Sequence, residues 1–281
     1  MMRNLGSHLE LCAINTATLG FQAPIYDVVD AIARAGFGGV APWRREVKGQ
    51  DIGAVAKHIR AAGLKITGYC RSTYIPSEHR INFDANIADN VMALNEAAEL
   101  GAESFVLVVG TLKDLASARA QVHDGLALLL QHANRVGVKL ALEPLHPVYA
   151  ADRSCVTLIE EALDLCEVLE GHSINPVLGV FIDAYHVWWS ATLARDIERA
   201  GKSKRIFGFH VSDWLTPTKD ILNNRGMMGD GVIDLKFIRT LIETSGYRGL
   251  VEVEIFSDAN WWTRPMAETL AVVKERLASS V

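Results

Sequence analysis

The sequence predicts an α/β fold, a single (β/α)8 barrel of the TIM type spanning residues 1–281, on three observations. A chain of 281 residues suits one such barrel and does not require two domains. Segments with helical periodicity alternate with short apolar strands along the whole sequence. No linker, low-complexity stretch or change of composition marks a domain boundary.

Eight predicted strands follow one another in order. "HLELCAIN" is the first, and each of the other seven follows a glycine that closes a helical segment. Those glycines are Gly36, Gly63, Gly101, Gly137, Gly171, Gly201 and Gly246. Glycine is favoured just past a helix end because that position often takes a positive φ. Strands such as "VLVVG" and "VLGVFI" are apolar throughout, which is typical of parallel strands covered on both faces.

Amphipathic helices are predicted between these strands. Apolar residues recur at i, i+3, i+4 and i+7 in "IYDVVDAIARA", "DIGAVAKHIRAA", "NIADNVMALNEAAEL", "SARAQVHDGLALLLQHANRV" and "CVTLIEEALDLCEVLE". The last of these segments predicts that Cys155 and Cys166 share the buried face of one helix. A doubly wound open sheet is the alternative fold. It normally carries GxGxxG after an early strand, whereas "GFGG" at 36–39 precedes a strand.

The composition narrows the classes of partner. The net charge of −5 disfavours binding to nucleic acid, which needs a basic surface. No apolar run reaches the length of a membrane span, so no membrane partner is expected. The four cysteines form no CxxC pair and no signal peptide is recognisable, which favours reduced thiols in a cytoplasmic protein.

Polar residues stand at the ends of the last four predicted strands, where active sites of such barrels lie. They are Glu143, Asp183, His210 and Glu254. Three carboxylates at one place repel one another unless a cation neutralises them. One imidazole with three carboxylates suits one divalent ion, Mn²⁺ or Mg²⁺, with Co²⁺ or Zn²⁺ as alternatives. The competing interpretation is that each acid pairs with a local arginine or caps a backbone amide.

Two further spacings bear on this site. Glu252 and Glu254 share one face of a strand, and the later residue is nearer the strand end, so Glu254 is the better ligand. Glu252 is predicted to pair with an arginine or to support a ligand. Asp183 and His186 would face opposite sides of a continuous strand, so the strand is predicted to stop near Asp183.

The motifs "LALEPL", "IDAYH", "FHVSD", "RGMMGDGVIDL" and "GYRGLVEVEIFS" together resemble the sugar phosphate isomerase/epimerase family. These proteins have xylose isomerase-like TIM barrels and include ketose 3-epimerases, inosose dehydratases and hydroxypyruvate isomerases. The resemblance implies that Glu143, Asp183, His210 and Glu254 are metal ligands. It also implies that His186 and Arg225 contact substrate oxygens.

The sequence departs from this pattern in the loop after Glu143. Ketose 3-epimerases of the family carry a second Glu six residues later, where this chain has Tyr149. His146 stands in the same loop, and a related dehydratase branch also places a His shortly after the metal Glu. A free ketohexose is therefore disfavoured as the substrate, and dehydration stays open.

The predicted function is a divalent-metal-dependent sugar isomerase or epimerase acting through an enediolate on a keto-sugar or keto-polyol. Glu143 and Glu254 are the predicted acid/base pair, since they could flank a substrate. Alternatives are a dehydratase or lyase of a keto-polyol or keto-acid, and a non-catalytic carbohydrate-binding barrel. An abasic-site endonuclease would need more histidines and a basic groove.

Other residues are predicted around the substrate. His146 and Trp43 are candidate substrate contacts, although His146 could only order the loop before Pro147 and Trp43 could only pack in the core. The pairs Trp188–Trp189 and Trp261–Trp262 would wall the pocket or form a subunit interface, and a homo-oligomer, dimer or tetramer, is expected. The loop "NNRGMMGDG" is a candidate lid. The lack of a basic cluster apart from Arg225 and nearby lysines favours an unphosphorylated substrate.

Overall fold

The structure is a computed structural model that describes residues 2–281. It contains ten strands. These are β1 (Cys12–Asn15), β2 (Gly39–Ala41), β3 (Lys65–Ile66), β4 (Ser104–Leu107), β5 (Lys139–Leu142), β6 (Leu178–Asp183), β7 (Ile206–Val211), β8 (Asp213–Trp214), β9 (Arg225–Gly226) and β10 (Val251–Val253). Eight of them form one sheet, in the order β3-β2-β1-β10-β7-β6-β5-β4, and every pairing in it is parallel. The remaining two, β8 and β9, form an antiparallel ribbon.

The sheet closes on itself beyond the short strand β3. Tyr69 pairs in parallel with Phe105 of β4. The Tyr69 amide donates to the Ser104 carbonyl at 2.9 Å, and the Val106 amide donates to the Tyr69 carbonyl at 3.1 Å. The predicted (β/α)8 barrel is confirmed, with the backbone after β3 completing the ring.

Helices surround this sheet. They are α1 (Ile25–Ala35), α2 (Arg44–Val47), α3 (Ile52–Ala61), α4 (Arg80–Leu100), α5 (Leu115–Val136), α6 (Ile159–Glu170), α7 (Ala184–Val187), α8 (Leu193–Lys202), α9 (Leu235–Thr244) and α10 (Met266–Ser279). Short 3₁₀ turns lie at Leu9–Leu11, Thr16–Leu19, Pro147–Tyr149 and Trp261–Thr263. In α1 the apolar stripe buries Ile25, Val28, Val29 and Ile32 against the strands, as the periodicity predicts.

Two details of the helices differ from the sequence prediction. Gly201 does not follow a helix but lies within α8, and a Cβ there would collide with the Ser245 carbonyl oxygen. Its role is therefore close packing of α8 against the end of α9. The helix α6 begins at Ile159, so Cys155 precedes it and does not share its buried face with Cys166. Both thiols are nevertheless buried and free, as are those of Cys12 and Cys70.

Among residues 2–281, no helix combines the length and the apolar character that a membrane crossing requires.

Candidate metal centre

Four acidic and imidazole side chains meet at the C-terminal ends of four neighbouring strands. Asp183 is the last residue of β6, His210 lies in β7, and Glu143 and Glu254 each follow a strand by one residue, β5 and β10 respectively. One potential ligand atom of each lies within 4.8 Å of the others, and all four residues are buried. The structure thus brings together the whole predicted ligand set.

The end of β6 orients both polar residues of "IDAYH". The Asp183 Oδ1 atom accepts a hydrogen bond from the Tyr185 amide at 2.9 Å and so caps α7. Because the chain turns into this helix, His186 comes back to the same side, and its Nε2 lies 3.6 Å from Asp183 Oδ2. The predicted end of the strand at Asp183 is confirmed.

Glu252 supports His210 from below. The Nε2 atom of His210 lies 2.7 Å from Glu252 Oε1, which also accepts from the Asn15 side-chain amide at 3.1 Å. The Thr67 hydroxyl donates to the other carboxylate oxygen. A carboxylate at Nε2 favours the tautomer with its proton there. This leaves Nδ1 facing Glu143, at 3.1 Å, and Glu254, at 3.5 Å.

Arg225 reaches the cluster from the ribbon strand β9. Its Nη1 lies 2.8 Å from Asp183 Oδ2 and 3.2 Å from Glu254 Oε2. Its Nη2 lies 3.3 Å from Nε2 of His186. The guanidinium stacks between Tyr185 at 4.4 Å and Phe256 at 5.1 Å. The predicted alternative, acids paired with a local arginine, therefore applies in part to Asp183 and Glu254.

Asp213 anchors the loop that carries Arg225. Its Oδ1 accepts from the amides of Trp214 at 2.9 Å and Ile233 at 3.0 Å, and its Oδ2 accepts from the Gly229 amide at 2.8 Å. Met227 and Met228 within the loop are fully buried. The segment predicted as a candidate lid is therefore tied to the end of β7 on the C-terminal side of Arg225.

The negative charge of the clustered carboxylates favours the binding of protons and cations. Burial, with the neighbouring charges of Glu143 and Asp183, raises the pKa of Glu254 to about 8. Burial alone would lower the pKa of His210, but the carboxylates of Glu254 and Glu252 hold it well above its ordinary value. Burial lowers the pKa of His186 to about 3, so its imidazole is neutral.

The donor set fits a divalent cation. Three buried carboxylates and one imidazole provide the oxygen and nitrogen ligands that Mn²⁺, Mg²⁺ or Zn²⁺ bind. A fourth carboxylate, that of Glu252, supports the imidazole from behind. Burial of three carboxylates costs several kcal/mol unless cations compensate them. In this structure that compensation comes from Arg225 and His210.

A cavity of about 650 Å³, open solvent at its mouth included, extends over the cluster. Five predicted site residues line it, namely Glu143, Glu254, His186, Arg225 and Trp43. Trp43 also donates from Nε1 to Asn15 Oδ1 at 2.7 Å. His146 is not among the lining residues. Its Nδ1 accepts from the Val148 amide at 3.2 Å, and its ring lies 4.9 Å from that of Trp214. These contacts match the role of ordering the loop before Pro147.

Two arginines of the cavity wall were not predicted as site residues from the sequence. Arg71 follows the third predicted strand in "GYCRS", and Arg153 closes the loop "EPLHPVYAADR" after the fifth. The strand-end position of Arg71 was a usable signal. Arg153 gave none, since only the fold of its loop brings it back over the pocket.

Comparisons with known proteins agree with this fold. The sequence model of the family described as xylose isomerase-like TIM barrel matches residues 29–276. A crystal structure of protein SMc04130 from Sinorhizobium meliloti 1021 is 48% identical, with a TM-score of 0.93, over 97% of this chain and 98% of that one. A structure of IOLI protein with a bound zinc atom is 18% identical, with a TM-score of 0.81 over 95% of this chain and 98% of that one, and shows the fold alone.

Curated relatives are more distant. A 3-dehydroshikimate dehydratase of Pseudomonas putida is 24% identical over 251 residues, which cover 86% of this chain. The chain spans 38% of the length of the curated relatives that it matches.

Proposed function

The chain belongs to the family of xylose isomerase-like TIM barrels, and we propose that it is a divalent-metal-dependent enzyme that enolises a hydroxy-ketone. The reaction proposed first is isomerisation or epimerisation of a keto-sugar or keto-polyol. The observation that carries the proposal is the buried set of Glu143, Asp183, His210 and Glu254 beneath a cavity of suitable size.

These four residues would hold the cation. When bound, a divalent ion supplies a Lewis acid that polarises a substrate carbonyl. This lowers the pKa of the C–H group next to the carbonyl. Mn²⁺ and Mg²⁺ suit the oxygen-rich set, and the zinc named for the IOLI structure keeps Zn²⁺ open.

The proton transfers are assigned to Glu143 and Glu254. They follow β5 and β10, two strands that β6 and β7 separate in the sheet, and both line the cavity. One carboxylate removes the proton next to the carbonyl and the other can return it from a different direction. Arg225 and His186 donate to, or orient, substrate oxygens from the wall beside Asp183.

Dehydration on the same site is the second candidate. Tyr149 lines the cavity where ketose 3-epimerases of the family carry a Glu, so the substrate end differs from that of a ketohexose epimerase. The names of the curated relatives also point to a dehydratase. In a dehydration a carboxylate removes the same proton and passes it to the β-hydroxyl, which leaves as water.

The test is proton exchange in D₂O. Wild-type protein loaded with Mn²⁺ is incubated with keto-sugars, keto-polyols and 3-dehydroshikimate, and deuterium at the carbon next to the carbonyl is followed by NMR. Glu254→Gln should reduce exchange by at least about 100-fold, as expected for loss of a general acid/base. Glu103→Gln, an exposed carboxylate outside the cavity wall, is the matched control and should leave exchange unchanged.

The product distinguishes the reactions. Inversion at the exchanging carbon means epimerisation, deuterium on the neighbouring carbon means isomerisation, and loss of water means dehydration. Equal exchange in wild type and Glu254→Gln would contradict the proposed role of Glu254.

A further inference from the structure

We propose that the substrate carries a carboxylate, and that Arg71 and Arg153 bind it at the mouth of the cavity. This inference rests on the proposed function, because it names the substrate class for the same site. It departs from the expectation that no basic cluster is present apart from Arg225 and nearby lysines.

The first observation is that these two cations lack acidic partners. Both side chains are partly buried in the cavity wall. The Arg71 guanidinium lies over the Tyr74 ring at 4.9 Å, and that of Arg153 lies over the Tyr149 ring at 5.4 Å. Within the described residues, 2–281, neither guanidinium forms an ion pair with a carboxylate.

Other arginines that are equally or more buried behave differently. Arg44 pairs with Asp89 and Glu96, Arg205 with Glu170, and Arg239 with Glu243. Arg225, the third arginine of the same cavity, pairs with Asp183 and Glu254. Partly buried guanidinium groups usually need an anion, because burial of an uncompensated charge is unfavourable. For Arg71 and Arg153 the ligand is the missing anion.

Nearby acids do not fill this role. Asp220 accepts hydrogen bonds from the amides of Leu222 at 2.7 Å and Asn223 at 2.8 Å, so it orders its own turn. Asp152 is exposed to solvent. The positive charge in the wall is therefore available to a ligand.

The second observation is a buried hydroxyl with nothing to bond. The Tyr149 side chain is 7% exposed and lines the cavity, and its hydroxyl has no hydrogen-bond partner among residues 2–281. A buried hydroxyl normally has such a partner. Because the Arg153 guanidinium lies over this ring, one oxyanion could accept from both groups.

The positions of the two arginines orient the substrate. Arg71 follows β3 and Arg153 follows β5, and Val106 and Val108 line the cavity between them, at and beyond the end of β4. Glu254 enters from β10, on the far side of β6 and β7. The substrate would thus present its anionic end to the loops after β3 and β5, and its reacting carbons to the metal centre at the strand ends.

The shared chemistry is that of an oxyanion, and we assign a carboxylate. A carboxylate matches the planar fork of a guanidinium. It is also smaller than a phosphate group, and about 650 Å³ of partly open space must hold the reacting carbons as well.

The experiment compares acids with their neutral esters. Binding to Mn²⁺-loaded wild type is measured by calorimetry for 3-dehydroshikimate, quinate and D-galacturonate, and for the methyl ester of each acid. Fructose and fructose 6-phosphate are compared in the same way to measure any preference for a phosphate group. At least one acid should bind tenfold or more tightly than its ester. Arg71→Gln/Arg153→Gln should abolish this preference. Arg119→Gln, which removes a surface partner of Glu161, should keep it.

Several outcomes would overturn the inference. They are esters that bind as well as acids, no acid that binds, an acid preference that survives in the double variant, or a preference for the phosphate over every acid. Arg71→Lys/Arg153→Lys keeps the charge, and with a native circular dichroism spectrum it should restore part of the preference. The binding measurement does not depend on turnover. A preference for acids without proton exchange in D₂O would therefore refute the proposed function and leave the carboxylate site standing.

Discussion

The hydrogen bond between Glu252 and His210 orients the imidazole of the candidate metal centre. The carboxylate holds Nε2 at 2.7 Å and is itself held by Asn15 and Thr67. Glu252→Gln should weaken Mn²⁺ binding by about 10–100-fold, since it removes the charged acceptor that fixes the imidazole without removing a ligand. Titration of metal-free protein with Mn²⁺ by calorimetry measures this change.

The same titration on Glu103→Gln is the control, because that exposed glutamate lies outside the cavity wall. Wild-type affinity in Glu252→Gln would show that the carboxylate does not orient His210.

At the residue scale, sequence reasoning singled out Glu252 and the four residues that cluster in the structure for a physical reason. A charged residue in an apolar strand is costly to bury without compensation, so each one marks a site. Arg153 was not predicted and His146 was left with two alternative roles, because loop residues follow no periodicity. Their neighbours depend on how each loop folds back over the barrel.

The loop between β7 and α9 is the element that positions Arg225. Asp213 accepts from three backbone amides, two of them across the loop. Asp213→Asn replaces one acceptor oxygen by an amide group, which cannot accept the Gly229 or Ile233 hydrogen bond. We expect a loss of about 2 kcal/mol in the free energy of unfolding and a higher KM. Urea denaturation and steady-state kinetics measure the two effects.

Asp258→Asn, at an exposed aspartate of the next loop, is the matched control. An unchanged KM together with the loss of stability would mean that Arg225 binds the substrate equally well when the loop is less firmly held.

A second element-scale prediction concerns the packing of α9 against the first residues of the described chain. The Glu243 carboxylate accepts from Arg3 Nε at 3.1 Å, from the Arg3 amide at 2.9 Å and from Arg239 Nε at 2.8 Å. Burial alone would raise the pKa of Glu243, but the Arg3 amide and the Arg239 guanidinium hold it below its ordinary value. Glu243→Gln should lower the free energy of unfolding by about 1–2 kcal/mol near neutral pH.

The pH dependence follows from the direction of this shift. A carboxyl group with a lowered pKa in the folded state stabilises the protein above its unfolded pKa. That stabilisation is lost as the pH falls through the folded value. The gap between wild type and Glu243→Gln should therefore narrow below about pH 4.5, the ordinary pKa of the group. Urea denaturation as a function of pH tests this, and a constant gap would contradict it.

At the scale of the whole molecule, the barrel was predictable because the pattern repeats. The last four β-α units of the barrel each place a polar residue at the same end of the ring, so strand order alone brings Glu143, Asp183, His210 and Glu254 together. Closure of the barrel was harder to predict from the sequence, since β3 has only two residues and irregular backbone at Tyr69 completes the ring. Boundaries such as the start of α6 after Cys155 also depend on tertiary packing.

The measurement that tests the central claim most directly is the metal content of the purified protein. Wild type reconstituted with Mn²⁺ and freed of excess ion should retain about one ion per chain by elemental analysis, because four buried donors converge within 4.8 Å. Asp183→Asn and His210→Ala should each retain far less, whereas Glu103→Gln should match wild type. A wild-type protein that retains no divalent ion, or variants that retain as much as wild type, would contradict the assignment of these four residues as a metal centre.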